Sequence, residues 1–520
     1  MNIRFEMPTS TTSHHPVDVE SEQASGLSPR GRLKFLLRDS VLYGGAAAIS
    51  QAFALITFPI LARHFTVPDY GVLDFFLTLS SLLAILLIFG QDSAVARYFY
   101  EHNDHDSRRQ LISQSLLFQL AGVVLIAPVL WVLADRATAL IFVPDQIGDT
   151  PALFRIVLLM LPFQVLINFS QNILKWTFDR TRFLLMSVGM TAFQASGLVV
   201  VVLWLDAGIR EVLIVCSATS ALFGLLGLLF VRQWLVWPRN IRYLREMLPF
   251  AVPIGVICVA SAFAPTLQRT LTDRLLGTTD LGLYAAGTKV AMLVGLVVGA
   301  FQTAWGPFSL SIYRQSDAAH TYNQVLRLFA LGICVFVLGL SLLGGLIILV
   351  LASDRYGGAS VVVFPLAMGL AVQATSWITE LGIGLSKRSH LNLYPYLVSL
   401  AVSLGAIWLL APVLGLFGVG IGVLLGHLIK AIVASWLAQR AYPLPWSYTP
   451  VVVLMTATIA VGLGAAWLGQ LFGDRVQAVT IGGSIPLVAL MGWRMLFTAV
   501  ERGAMMEMVA RRMGLMTYKG

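Results

Sequence analysis

The stretch FLLMSVGMTAFQASGLVVVVLWL, residues Phe183–Leu205, indicates the fold class, because its 23 residues carry no charged side chain. A hydrocarbon core about 30 Å thick needs roughly 20 helical residues to span it. Fourteen stretches of this kind follow one another between about Val41 and about Phe497, and no connection between them is long enough for a soluble domain. The sequence therefore predicts an all-α polytopic membrane protein with about 14 transmembrane helices.

The composition agrees with this prediction. Hydrophobic residues make up 57% of the chain and charged residues only 12%, whereas a soluble domain has about 25% charged residues. Barrel strands alternate polar and apolar residues over about 10 positions, and these stretches are continuously apolar. The three cysteines, Cys216, Cys258 and Cys334, lie in apolar spans without a Cys or His at ligand spacing. We interpret them as core residues and expect no metal, cofactor or catalytic site.

Basic residues alternate along the connections and predict the orientation. The side of the membrane that holds the N-terminus also holds Arg108 and Arg109, the Arg232–Arg245 segment, and Lys387 and Arg388, whereas the opposite side has few basic residues. Positively charged loops stay in the cytoplasm, so both termini are predicted to be cytoplasmic. Because the net charge of +9 is spread over all these loops, it indicates contact with anionic membrane lipids and not with nucleic acid.

The spans and their connections predict six segments. These are a disordered cytoplasmic tail (1–37), an N-lobe of helices 1–6 (38–231), a basic cytoplasmic linker (232–247), a C-lobe of helices 7–12 (248–440), helices 13 and 14 (441–497), and an amphipathic cytoplasmic tail (498–520).

An internal repeat supports the division into two lobes. At an offset of 211 residues, Arg63-x5-Asp69-x-Gly71 aligns with Arg274-x5-Asp280-x-Gly282. In both copies a helix ends in a basic residue, a turn follows, and a long helix returns across the membrane. Duplicated halves that face each other across a cavity are a common basis for alternating access in transporters. We therefore expect two pseudo-symmetric lobes around a central cavity.

Three runs resemble the polysaccharide transporter family of the multidrug/oligosaccharidyl-lipid/polysaccharide exporter superfamily: RHFTVPDYG (63–71), FGQDSAVARYFYE (89–101) and TDRLLGTTDLGLY (272–284). The resemblance covers about residues 33–440. It implies a MATE-like, V-shaped bundle and a flippase, not an enzyme. Such flippases move undecaprenyl-diphosphate-linked oligosaccharide repeat units, of O-antigen or exopolysaccharide, from the cytoplasmic to the periplasmic leaflet of a bacterial inner membrane. It also implies membrane lipids, a polysaccharide polymerase and glycosyltransferases as partners.

A lipid-linked oligosaccharide carries a diphosphate, whose charge is costly in a low-dielectric interior unless cations balance it. The predicted substrate-binding residues are therefore the basic residues within or at the ends of the spans: Lys289, Arg269, Arg97, Arg274 and Arg63. Lys289, deep in span 8, has the alternative of an ion pair with a neighbouring helix. The alternative role of Arg63 and Arg274 is to anchor helix ends. The alternative role of Arg97 is an ion pair with Glu101, one turn further along the helix.

Two acidic residues within the spans, Asp92 and Glu380, are predicted to couple transport to an ion gradient. A carboxylate in a low-dielectric interior can load and release a proton or a sodium ion. The alternative for Asp92 is a structural pair with Arg97. For Glu380 the alternative is also a structural ion pair.

Three other functions share parts of this pattern. A multidrug exporter of the same superfamily would have the same fold, but interior acids and aromatic residues would suit cationic drugs better than the basic residues found here. A lipid II flippase shares the superfamily and the fourteen spans. A membrane enzyme is disfavoured. The triplet Asp104-His105-Asp106, which in a glycosyltransferase would bind a metal-nucleotide, lies in a connection of about 14 residues with no soluble domain around it. A polymerase or ligase usually needs a long external loop, and the longest one here, about Asp135–Thr150, is short.

Overall fold

The computed structural model describes residues 45, 49–50, 53, 56–102, 104–141, 150–312, 318–386, 388–499 and 501–503. Within these ranges the regular structure is helical and contains no β-strand. Thirteen of the described helices are long and apolar enough to cross a membrane. The prediction of an all-α polytopic membrane protein is therefore confirmed.

We number the helices after the predicted spans. Helix α1 comprises residues 56–64, and most of the earlier part of the first predicted span lies outside the described residues. The others are α2 (Val67–Glu101), α3 (His105–Val132), α4 (Thr150–Trp176), α5 (Arg180–Leu205), α6 (Ile209–Trp234), α7 (Arg242–Leu276), α8 (Thr278–Gly299), α9 (Ala318–Leu351), α10 (Asp354–Leu385), α11 (His390–Leu414), α12 (Leu416–Ala441), α13 (Tyr448–Phe472) and α14 (Arg475–Leu496).

Helix packing follows the same scheme in the two halves of the chain. In the first half α4 packs against α2 and α6, and α5 packs against α6; in the second half α10 packs against α8 and α12, and α11 packs against α12. The two halves meet where α2 contacts α8 and α7. We call α1–α6 the N-lobe and α7–α12 the C-lobe. Helices α13 and α14 pack against α9, on the side of the C-lobe.

The connection between the lobes is attached to α3. The amide of Val236 donates to Ser113 Oγ at 2.9 Å, and Arg239 Nη1 lies 2.9 Å from Asp106 Oδ2. Helix α7 begins at Arg242, so residues 242–247 of the predicted linker belong to a helix. The predicted tail 1–37 and residues 504–520 of the C-terminal tail lie outside the described residues.

The two copies of the predicted repeat meet each other. Gly71 on α2 and Gly282 on α8, the last residues of the two aligned motifs, are in backbone contact: a Cβ on Gly71 would lie 2.6 Å from the Gly282 nitrogen. A Cβ on Gly282 would overlap the carbonyl oxygen of Val67. Only glycine allows this approach. We call this region, Arg63–Gly71 with Arg274–Gly282, the closed end of the bundle.

Helix α2 is interrupted where it crosses α7. Phe89 and Gly90 have positive φ values of 44° and 71°, and a Cβ on Gly90 would lie 2.5 Å from the carbonyl oxygen of Ala251 on α7. Gly255, one turn further along α7, is equally close to the Phe89 backbone. Glycines on both helices therefore let the first half of α7 lie directly on the N-lobe.

Candidate functional site

Three charged side chains meet between the lobes, near the closed end. Asp74 on α2 of the N-lobe lies 2.8 Å from Arg269 Nε on α7 and 3.0 Å from Lys289 Nζ on α8, with one carboxylate oxygen for each cation. The side chains of Asp74 and Arg269 are 3% and 7% exposed, whereas that of Lys289 is 34% exposed. We call this group the interlobe ion cluster.

The positions at which α2, α7 and α8 begin or end place these three residues at a similar depth in the bundle. Helix α2 begins beside Thr66, whose hydroxyl caps the amide of Asp69, and Pro68 occupies its first turn. Asp74 follows two turns inside. Arg269 lies two turns before the end of α7, and Lys289 three turns into α8. Because α2 runs inward from the closed end while α7 runs toward it, the three side chains project into the same layer.

The cluster carries a net charge of one positive unit, because two cations share one carboxylate. A second contact orients Arg269: its Nη1 donates to the carbonyl of Pro265 at 3.2 Å. In a low-dielectric interior both cations need a counter-charge, and Asp74 supplies one for the pair. Because the cluster has an excess positive charge and Lys289 is partly exposed, it is suited to bind an anionic group.

The cluster borders a polar cavity inside the C-lobe with a volume of about 360 Å³. Arg269 lies in its wall together with polar groups of five helices, among them Gln268, Thr288, Gln373, Ser399, Ser403 and Lys430. Gln268 donates to Ser403 Oγ at 2.9 Å, which fixes that part of the wall. The volume is in the range of small-molecule binding sites.

A second, uncharged cavity of about 210 Å³ lies in the N-lobe. Its polar lining consists of side-chain amides and a hydroxyl: Gln164, Asn168, Gln171, Gln194 and Ser220. Asn168 and Gln171 lie on α4, and Asn172 on the same helix donates to Asn168 Oδ1 at 2.9 Å. Groups of this kind suit sugar hydroxyls, which need both donors and acceptors.

The predicted residues Arg63 and Arg274 hold the closed end through backbone contacts. Arg63 Nη2 donates to the carbonyl of Val350 at 2.5 Å, and Arg355 Nη2 donates to the carbonyl of Arg63 at 2.9 Å. Arg274 donates to the last carbonyls of the short helix Ala134–Ile141, where a cation is favourable. Both side chains thus bind the ends of other helices in this conformation, and their substrate role stays a prediction.

The other two predicted residues on α2 lie away from the interlobe ion cluster. Arg97 Nε lies 3.2 Å from Glu101 Oε1, with both side chains about half exposed, and its guanidinium lies 4.7 Å from the centre of the Phe250 ring. Asp92 Oδ1 accepts the amide of Ser93 at 2.7 Å. The pairing of Arg97 with Glu101 is therefore present, and the substrate role of Arg97 stays a prediction.

Glu380 lies at the end of the main helix of α10, within the C-lobe. Ser376 Oγ donates to its Oε1 at 2.6 Å, and Lys430 Nζ on α12 lies 4.0 Å from the same oxygen. The structure thus gives Glu380 an ion-pair partner that the sequence analysis did not identify.

Sequence reasoning missed two functional candidates, Asp74 and Lys430. Both are ionisable residues well inside apolar spans, which is the signal that singled out Lys289. Asp74 lies in LDFF and Lys430 in HLIKAIV, where the single charge is surrounded by apolar residues. The same criterion, an ionisable residue deep in an apolar span, identifies both residues when it is applied to every span. It does not identify the residues that pair with them.

The Asp104-His105-Asp106 triplet has structural roles in this conformation. Asp104 caps α3 by accepting the amide and hydroxyl of Ser107 at 2.9 and 3.0 Å. These hydrogen bonds hold the pKa of Asp104 below its usual value. Asp106 pairs with Arg239 of the linker. The described residues contain no group of three or more His, Cys, Asp or Glu that could hold a metal ion.

Comparisons with known proteins agree with this architecture. The family model described as "Polysaccharide biosynthesis protein" matches residues 36–313. A membrane protein of Haemophilus influenzae is 23% identical over 288 residues, which cover 54% of this chain and 67% of that protein.

Two solved structures share the fold at low sequence identity. The lipid II flippase MurJ in an inward closed conformation is 12% identical, with a TM-score of 0.66, and the match covers 87% of this chain and 99% of that chain. An inward-facing multidrug resistance MATE family transporter of the MOP superfamily is 15% identical, with a TM-score of 0.59, over 75% of this chain and 94% of that chain. These likenesses show the fold, which is the MATE-like architecture predicted from the sequence.

Proposed function

Because this chain belongs to the polysaccharide biosynthesis protein family, we propose that it is a flippase for oligosaccharides linked to undecaprenyl diphosphate. It moves them from the cytoplasmic to the periplasmic leaflet of a bacterial inner membrane, for the synthesis of O-antigen or exopolysaccharide. Glycosyltransferases supply its substrate and a polysaccharide polymerase consumes its product. The family match and the shared fold support a flippase or exporter of the multidrug/oligosaccharidyl-lipid/polysaccharide exporter superfamily.

The interlobe ion cluster is the observation that carries this proposal. Lys289 and Arg269 offer a net positive charge, and Arg269 lies in the wall of the C-lobe cavity. A diphosphate needs that charge in a low-dielectric interior. The neutral amides of the N-lobe cavity provide hydrogen-bond partners for sugars. In this arrangement the C-lobe binds the diphosphate and the N-lobe binds the sugar.

The cluster also suggests how binding is coupled to opening. Asp74 belongs to the N-lobe and both cations to the C-lobe, so their ion pairs hold the lobes together near the closed end. A diphosphate that binds Lys289 and Arg269 replaces Asp74 as their counter-charge and removes this attraction. The loaded carrier then opens at the closed end, and Asp74 reseals it after release. By linkage, opening of this end strengthens diphosphate binding by the same factor.

Transport by Lys289 variants tests the proposal. Lys289→Gln is expected to reduce flipping of a lipid-linked oligosaccharide in proteoliposomes at least about 30-fold, because a phosphate needs charge and not only a donor. Lys289→Arg is expected to keep a substantial part of the activity. Rates are measured per folded molecule, with lipid II and a cationic drug as competing substrates. Full activity of Lys289→Gln would remove the electrostatic role, and faster transport of lipid II or the drug would favour the corresponding alternative.

The orientation is tested by thiol labelling of intact cells, in a variant whose Cys258 is replaced by Ser because this thiol is only half-buried. A cysteine at Asn240, in the connection between the lobes, should be shielded from an impermeant reagent, and one at Asp354, the first residue of α10, should react. Both positions are exposed in the structure, so burial does not confound the result. Labelling at position 240 from outside would reverse the proposed cytoplasmic location of the termini.

A further inference from the structure

Lys430 places an ammonium group deep inside the C-lobe. Its side chain is 2% exposed and lies in the middle of α12, which packs against α10 and α11. Within the described part of the chain its Nζ has no hydrogen-bond partner. A buried ammonium normally needs acceptors or a close counter-charge, so another feature of the surroundings must stabilise it.

The surroundings of this ammonium resemble a binding site for a small cation. The Glu380 carboxylate lies on one side with Oε1 at 4.0 Å. The ring centre of Tyr396 on α11 is 4.3 Å from Nζ, and that of Trp377 on α10 is 5.8 Å away. Aromatic faces and a carboxylate together attract compact monovalent cations, including ammonium groups, through the ring quadrupoles and the negative charge.

We propose that Glu380, Tyr396 and Trp377 form a monovalent-cation site in the C-lobe and that Lys430 fills it with its own ammonium. The three groups come from two helices, and the tethered cation comes from a third. The ligand class of the site is a small monovalent cation, either a primary ammonium or Na⁺, once the tethered group is removed.

This assignment changes the role expected for Glu380. A free metal ion that binds Glu380 must displace an ammonium that is covalently attached and already buried, so the native protein does not use Na⁺ at this carboxylate. Ser376, which donates to Glu380 Oε1, holds the carboxylate in place. Lys430 also lies in the wall of the 360 Å³ cavity, so the site adjoins this cavity when the ammonium is absent.

Chemical rescue tests the site. Purified Lys430→Ala is expected to be less stable than the native protein, and methylammonium or Na⁺ at about 100 mM should raise its Tm by about 2 °C or more relative to choline. The native protein should show no such difference, because its site is filled. Lys430→Met, which fills the same space without a charge, should show none either. If Lys430→Ala yields too little folded protein, Lys430→Ser is measured in the same way.

The double variant Lys430→Ala with Glu380→Gln assigns the effect to this carboxylate and should lose the response to cations. Two results would overturn the proposal. One is folded Lys430→Ala or Lys430→Ser protein that does not respond to any small cation, and the other is Na⁺-specific stabilisation of the native protein that Glu380→Gln removes. Binding is measured without transport, so the outcome is independent of the proposed flippase function.

Discussion

Gly282→Ala is expected to reduce transport about 100-fold by preventing the closed end from sealing. The added methyl group would overlap the carbonyl oxygen of Val67, and both contacting groups are backbone, so no side-chain rotation relieves the overlap. Overpacking of this kind costs about 3 kcal/mol, which corresponds to about a 100-fold shift between closed and open forms. A carrier that cannot close one end cannot complete its cycle.

The reactivity of a cysteine introduced at the closed end measures directly whether this end is sealed. A cysteine at Thr278, which is 8% exposed at the closed end, should react slowly in the native background and at least about tenfold faster with Gly282→Ala. Gly295→Ala is the matched control, because it adds the same methyl group to α8 where no other atom lies within 4 Å. Normal transport by the Gly282 variant, with unchanged reactivity at position 278, would show that the glycine contact is not part of the cycle.

Asp74→Asn is expected to cause the second large loss, because it removes the shared counter-charge of Arg269 and Lys289. Breaking a buried ion pair costs about 3–5 kcal/mol, since the remaining charge stays buried without a partner. We expect a lower Tm, a lower folded yield and a loss of transport of at least about 100-fold per folded molecule. Asp354→Asn, which neutralises an exposed acid, is the control and should have little effect.

A double variant separates stability from transport. Adding Lys289→Met to Asp74→Asn returns the net charge of the interlobe ion cluster to one positive unit, so part of the lost Tm should return. Transport should not return, because the exposed cation proposed to bind the diphosphate is then missing. Restored transport in the double variant would show that Lys289 only stabilises the cluster and does not bind the diphosphate. An unchanged Tm in the single variant Asp74→Asn would contradict the buried ion pair itself.

The fold class and the membrane spans were predictable from local sequence. Long uncharged runs such as Phe183–Leu205 have to form membrane helices, because every backbone polar group in hydrocarbon needs an internal partner. Both glycine motifs of the closed end were also predictable, since a tight turn after a basic helix end recurs at a fixed offset in the sequence. Lys289 and Arg269 were identified by depth alone.

The partners of these residues depended on the tertiary structure. Sequence separation does not reveal that Asp74 lies beside Arg269, 195 positions away, or that the two aligned glycines touch each other. For the same reason the sequence offered a structural ion pair for Glu380 only as an alternative without a partner, and the structure places Lys430 next to it. Each of these contacts joins helices whose relative rotation is set by side-chain packing, which apolar composition leaves undetermined because every face of a membrane helix is apolar.

The sequence by itself therefore determined that the chain is a helical membrane protein with repeated halves and a few buried charges. The tertiary structure decided which charges neutralise one another and which remain available to a substrate. The physical reason is that burial in the membrane penalises each charge individually, and this signal can be read from the position of one residue. Neutralising a buried charge requires two or three charged groups within about 4 Å of one another. Only the packing of the helices brings such groups together.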